Sequence, residues 1–223
     1  MQDARGFYAN RCVMRYIEQG MAMLADGYLP ALIENGARIA GMPVGPLSLQ
    51  DEVAIDLGWK IVQQTKKDMG DAYVEGPTDA ILGKMMELER HGRKNAKGFY
   101  DYPEGGKKRL WPELSQFAKK GVLAEDKQPS VDLIRDRILY AQALEAARTV
   151  EAGIVTDPRE ADVGSILAFG FAMGRTGRTT VDAARTINRQ YERIGSLMKE
   201  LLKDYQQLLN ETSLLMTIQS KLQ

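Results

Sequence analysis

Cysteine and histidine each occur once in these 223 residues, as Cys12 and His91. One thiol forms no internal disulfide, and one thiol with one imidazole cannot furnish a His/Cys zinc centre, so no metal site is expected. Cys12 lies inside an apolar helical pattern with His91 far off in sequence, which predicts a buried, inert thiol rather than a nucleophile. Net charge is missing too: 30 Lys and Arg offset 30 Asp and Glu. A surface for nucleic acid or anionic membrane wants a net basic field, so the balance argues against both partners. Local basic clusters exist, and Lys107-Lys108-Arg109 among them reads as a solvated loop. No apolar run approaches the roughly 20 residues of a membrane span, and no signal peptide is visible. A reducing, cytoplasmic setting is the expectation. No Gly-x-Gly-x-x-Gly follows a strand, and no phosphate-loop lysine occurs. The run "GRTGRT" (174–179) has glycines and arginines but neither the preceding strand nor the spacing for phosphate.

What is present is helical. Apolar residues make up 44% of the chain and charged residues 27%, enough to bury a core and stay soluble. Val13, Met14, Ile17, Met21 and Leu24 recur at spacings of three and four, predicting a helix over 7–25 closed by Gly27. Pro30 suits the first turn of a second helix, with Leu32, Ile33 and Ile39 inside. Gly41, Pro43, Gly45 and Pro46 specify a stiff loop. Ser48 and Asp51 then have the spacing of a capping box, opening a third helix with Val53, Leu57 and Ile61 inside. Thr78 is the expected cap of a fourth helix, carrying Ile81, Leu82, Met85, Met86 and Leu88 inward and closed by Gly92. Residues 92–102 read as an exposed turn leading into a short extended piece.

Residues 103–129, rich in Lys, Glu, Gly and Pro, are the linker candidate. Beyond them Ser130 caps a helix with Ile134, Ile138, Ala141, Leu144 and Val150, closed by Gly153. Asp157, Pro158 and Glu160 form the start of another, and 167–174 reads as a glycine-punctuated apolar loop. "MLADGYLP" (23–30) parallels "TVEAGIVT" (149–156) at an offset of 126 residues. Two related helical units packed on each other are the physical reading. In the tail, Ile194, Leu201, Leu208, Leu215 and Leu222 fall seven apart, with Asp204 and Glu211 at facing positions. That pattern predicts an amphipathic helix rather than a strong coiled coil. The expected fold is therefore all-α: a first repeat over 1–102, a linker over 103–129, a second, partial repeat over 130–179, and a helical tail over 180–223.

Chemistry is sparse in this pattern. His91 sits at the basic end of a helix, where a structural imidazole is expected, and no carboxylate pair stands out as an acid/base couple. Three segments carry more. "GFYANR" (6–11), "GMPVGPLSLQDEVAIDL" (41–57) and "GRKNAKGFYDY" (92–102) occur in order and together resemble the C-terminal helical region of the 3-hydroxyacyl-CoA dehydrogenase family. Residues 136–172 are similar to the second such repeat of the multifunctional fatty-acid β-oxidation enzymes. The resemblance spans 3–172 and implies a fold like the C-terminal domain of 6-phosphogluconate dehydrogenase. It also implies NAD-dependent oxidation of an L-3-hydroxyacyl-CoA, with acyl-CoA as substrate.

In that family Asn10 matches an asparagine that faces the active-site cleft and orients the thioester and the catalytic histidine. From the residues alone, Asn10 reads as a cap on the first helix. The family's NAD site and its His-Glu couple lie in a Rossmann domain that is not found in this chain. The expectation is thus a region inactive by itself, whose partners are that absent nucleotide-binding domain and further copies associating through exposed apolar faces. The alternative is a non-catalytic helical dimerisation or interaction module. After Ala172 the sequence departs from the family's pattern, and a shifted reading frame near Met173 would explain the departure.

Overall fold

Two glycines show how closely the helices cross. A Cβ on Gly20 would come within 2.6 Å of the Pro46 ring, and one on Gly36 would overlap the Ile134 side chain. These crossings belong to a computed structural model that describes residues 6–170. The elements run α1 (Ala9–Ala25), α2 (Pro30–Ile39), α3 (Pro46–Val53), α4 (Ile55–Met69), α5 (Pro77–Glu87), β1 (Tyr100–Asp101), β2 (Arg109–Leu110), α6 (Val131–Glu151) and α7 (Pro158–Phe169). The strands pair antiparallel, Tyr100 opposite Leu110. The fold is all-α as expected, with this two-stranded pairing as the only sheet among the described residues.

α1 is the central element, packed against α6, α3, α5, α7 and α2. Its inward stripe of Cys12, Tyr16, Ile17, Met21 and Leu24 follows the 3.6-residue period. Ile33, Leu47, Ile55, Leu82, Met85, Phe99, Ile134 and Ile138 complete the main core. A smaller cluster of Tyr8, Cys12, Ala146, Val155 and Ala161 lies where α1, α6 and α7 meet.

Of the three glycines expected to close helices, Gly27 (φ 90°) and Gly153 (φ 69°) do so in left-handed conformations, whereas α5 ends at Glu87 and Gly92 lies beyond it. The backbone bonds around Gly27 and Gly153 are the same. Asp26 N–H donates to Ala22, Gly27 to Leu24 and Tyr28 to Met23; Ala152 donates to Arg148, Gly153 to Val150 and Ile154 to Thr149. Pro30 and Pro158 each stand at the first turn of the helix that follows, and Ser130 and Asp157 cap α6 and α7 through their side chains.

Several expectations need correction. The third helix is two helices, because Ala54 at φ 79°, ψ 129° breaks the ladder. The break resets the helical phase, so α4 buries Ile55, Gly58 and Val62 and leaves Leu57 47% and Ile61 38% exposed. Ser48 and Asp51 lie buried inside α3 rather than capping it, since Pro46 starts the helix earlier. α5 begins at Gly76-Pro77, where Asp79 rather than Thr78 accepts the Gly76 N–H at 2.8 Å. Ile39 and Leu88, each at a helix end, are exposed. α6 buries Gln142, Glu145 and Thr149 where Ala141, Leu144 and Val150 were expected, and residues 167–169 continue α7 rather than forming a loop.

Residues 103–129 carry β2 and two short 3₁₀ turns, and they place Trp111, Leu114 and Phe117 in the core. They also seal the corner between α1 and α2. Lys119 N–H donates to Ala25 (2.9 Å), Leu123 N–H to Gly27 (3.0 Å), and the Gln128 amide both accepts from Leu29 N–H (3.1 Å) and donates to Leu123 (2.8 Å). The "GRTGRT" run, the frame-shift expectation at Met173 and the heptad tail lie outside the described residues.

Candidate functional site

The start of α1 differs from every other helix start described. α2, α3, α5 and α7 each begin with proline, and α4 and α6 carry Asp56 and Asp132 in their first turns. α1 has no proline there, no acid and no side-chain cap. Its cap residue is Tyr8, and Gly6 and the exposed Phe7 before it are left-handed, at φ 75° and 48°. The leading N–H groups of a helix have no partner within it and gather partial positive charge. Asn10 sits in that first turn, exposed. The capping reading of Asn10 does not hold, because the cap position is Tyr8 and Asn10 lies past it, inside the helix. A neutral side chain that both donates and accepts therefore stands at the positive end of the α1 dipole, a setting that suits an uncharged or partly negative oxygen.

The residues flanking Asn10 are tied down. The Tyr8 hydroxyl, fully buried, donates to the Ala161 carbonyl at 2.9 Å and meets the Ser165 hydroxyl, which itself donates to Ala161 at 2.8 Å. Arg11 pairs with Glu145 through Nε (2.6 Å) and Nη2 (2.5 Å). Glu145 is 4% exposed and also receives Arg15 at 3.4 Å and Arg148 at 3.3 Å. Burial opposes its charge, but Arg11, Arg15 and Arg148 outweigh that and hold the carboxyl below the usual range. Cys12 is fully buried, and burial, with Glu145 nearby, pushes its thiol up to about 12. The thiol is buried, as expected.

The second and third motifs are joined by two buried carboxylates. Glu34 accepts from the N–H groups of Leu47 (2.9 Å) and Ser48 (3.4 Å) at the start of α3 and from the Tyr100 hydroxyl (2.7 Å). Asp51 accepts from the N–H groups of Phe99 and Tyr100, both at 2.8 Å, and from the Tyr102 hydroxyl at 3.0 Å. Gly45 and Gly98 are the positions where those carboxylates press on the backbone; a Cβ at either would overlap them. Burial pushes Asp51 up to about 6 and Glu34 upward, against these hydrogen bonds. Both acids are structural. Lys108, from the expected solvated cluster, docks its ammonium on the Ser48 hydroxyl, 4.8 Å from the Tyr100 ring centroid.

His91 is half-buried. Its carbonyl accepts the Ile55 N–H (3.1 Å), its own N–H reaches Asn95 (3.2 Å), and its Nδ1 is buried with no hydrogen-bond partner. Among the described residues no three His, Cys, Asp or Glu side chains gather as metal ligands would. A dinucleotide pyrophosphate also finds no fit among them. It needs a glycine-rich turn between strand and helix with open N–H groups. The helix starts at α3, α5 and α7 already hold Glu34, Asp79 and Asp157, and no described strand leads into a helix in that way. No described helix is long and apolar enough to cross a membrane.

Comparison with known proteins places this geometry. Residues 6–102 match the family model for the 3-hydroxyacyl-CoA dehydrogenase C-terminal domain. The fatty acid oxidation complex subunit alpha of Shewanella oneidensis is 35% identical over 175 residues, covering 77% of this chain and 24% of that protein. The same subunit of Shewanella frigidimarina is 34% identical over 172 residues, with the same coverage. The chain thus spans about a quarter of the length of these relatives. Among solved structures, the dehydrogenase part of multifunctional enzyme 1 from C. elegans aligns at a TM-score of 0.56 and 27% identity, over 72% of this chain and 36% of that one. The 3-hydroxybutyryl-CoA dehydrogenase from Escherichia coli K12 shares the fold, at a TM-score of 0.51 and 14% identity over 74% of this chain and 50% of that one. Over residues 6–102 the chain is thus similar to the 3-hydroxyacyl-CoA dehydrogenase C-terminal domain, the family that its three motifs resemble.

Proposed function

We propose that this chain supplies the substrate-side wall of an L-3-hydroxyacyl-CoA dehydrogenase, with Asn10 as its contribution to the reacting centre. The observation that carries the reading is the uncapped start of α1 with Asn10 exposed in its first turn. Its carboxamide donates a hydrogen bond to an oxygen of the hydroxyacyl thioester and keeps its charge unchanged as the hydroxyl proton leaves. NAD, held by a separate nucleotide-binding domain, accepts the hydride when bound; nothing among the described residues replaces that domain. The chain alone is accordingly inactive.

The matching chain reversals after α1 and α6, residue for residue at the offset of 126, support residues 130–179 as a second, partial copy of the first unit. The test is complementation. A separately expressed nucleotide-binding domain of the family, mixed with this chain, should form NADH from a 3-hydroxyacyl-CoA, and neither should do so alone. Asn10→Ala should lower kcat about a hundredfold, the usual loss for one aimed donor. Turnover by the isolated chain, or full activity in Asn10→Ala, overturns the reading.

A second reading has its own support. Leu57 and Ile61 on α4, and Val163 with the 80% exposed Leu167 on α7, present apolar surface outward. A non-catalytic module that self-associates through these faces would show a concentration-dependent mass and no activity in any mixture.

A further inference from the structure

A helix start without a cap frays unless something outside it holds it. The first turn of α1 has no cap of its own and is entered through a left-handed Phe7, a conformation that a bulky residue keeps only under external constraint. Two contacts supply that constraint, one on each side of Asn10. Tyr8 is anchored on α7 through Ala161 and Ser165, with its ring against Gly164. Arg11 is anchored on α6 through the buried Glu145. Both anchors lie beyond residue 102, where the match to the family model ends. Glu145 is held ionised by Arg15 and Arg148 as well as by Arg11, so its carboxylate remains a fixed acceptor even when Arg11 moves.

We propose that Glu145 and Ser165 are positioning residues for Asn10. They set the direction of its carboxamide through Arg11 and Tyr8 without touching substrate. The second unit thereby works on the site of the first. This inference rests on the reading of Asn10 given above.

The test uses the full chain. In ¹⁵N-labelled protein, Tyr8→Phe and Glu145→Gln are compared with wild type by amide hydrogen exchange. The reporter is the Cys12 N–H, bonded to the Tyr8 carbonyl at 3.2 Å, and the Met21 N–H in the buried half of α1 is the reference. Each variant should speed Cys12 exchange about tenfold, the effect of one lost buried hydrogen bond, and leave Met21 unchanged. In the complemented enzyme each should lower kcat about tenfold with KM within about twofold. Either substitution added to Asn10→Ala should cost nothing more, because it acts through Asn10. Unchanged Cys12 exchange, or an equal rise at Met21, overturns the positioning role even where Asn10→Ala is damaged. If Asn10→Ala is fully active while Cys12 exchange rises as expected, the site reading fails and the positioning role fails with it.

Discussion

The Asp51 carboxylate accepts the Tyr100 N–H at 2.8 Å, across forty-nine residues of chain. With the Phe99 N–H and the Tyr102 hydroxyl it fixes the third motif on the second. A carboxyl pushed up to about 6 from 3.8 binds its proton more tightly in the folded chain than in the unfolded one. The folded state therefore gains stability below about pH 4 and loses it as pH rises through about 6, by roughly 3 kcal/mol at most. Urea midpoints should fall from pH 4 to pH 6 and level off above pH 7. Glu34, shifted in the same direction, adds to the slope, whereas Glu145 opposes it only at the acid end. Asp51→Asn should flatten much of the slope and lower stability at every pH, since it replaces one acceptor oxygen with a donor.

Gly98→Ala should destabilise the fold by about 2–4 kcal/mol, because the added methyl overlaps a buried Asp51 that has three bonds to keep. Thermal melting of the variant measures this. Gly105→Ala is the control. No atom lies near a Cβ there, and only its left-handed φ of 69° opposes the change, at about 1 kcal/mol.

Ala54→Gly should raise stability. Alanine at φ 79°, ψ 129° occupies a region that suits glycine, and relieving it is worth about 1 kcal/mol. A gain in the urea midpoint with unchanged slope is the expected result; a loss would mean the Ala54 methyl packs better than its backbone angles suggest.

Cys12 should resist iodoacetamide in the native chain at pH 8 and react once urea unfolds it. Its burial and its high thiol pKa both suppress the thiolate. Labelling of the folded chain at the unfolded rate would contradict this.

Local chemistry was readable and long-range chemistry was not. Gly27, Gly153, Ser130, Asp157, Pro30 and Pro158 act within a turn of themselves, and each stands where its pattern put it. Ala54 carries no turn signature, so the break between α3 and α4 was invisible and the phase of Leu57 and Ile61 was misread. Ser48 and Asp51 have capping-box spacing, yet the partners of Asp51 lie 48 to 51 residues on. Arg11 and Glu145, 134 residues apart, and Tyr8 and Ser165, 157 apart, leave no trace in any local pattern. Asn10 stands as a candidate site residue only through the likeness of its motif to a family.

The strap formed by residues 103–129 has a bearing on how such proteins are cut for study. The stretch that matches the family ends at Tyr102, but Trp111, Leu114 and Phe117 plug the core, and Lys119, Leu123 and Gln128 close the α1–α2 corner. A gene truncated after Tyr102 would leave a hydrophobic hollow and bare carbonyls at Ala25 and Gly27, and its product would be expected to precipitate.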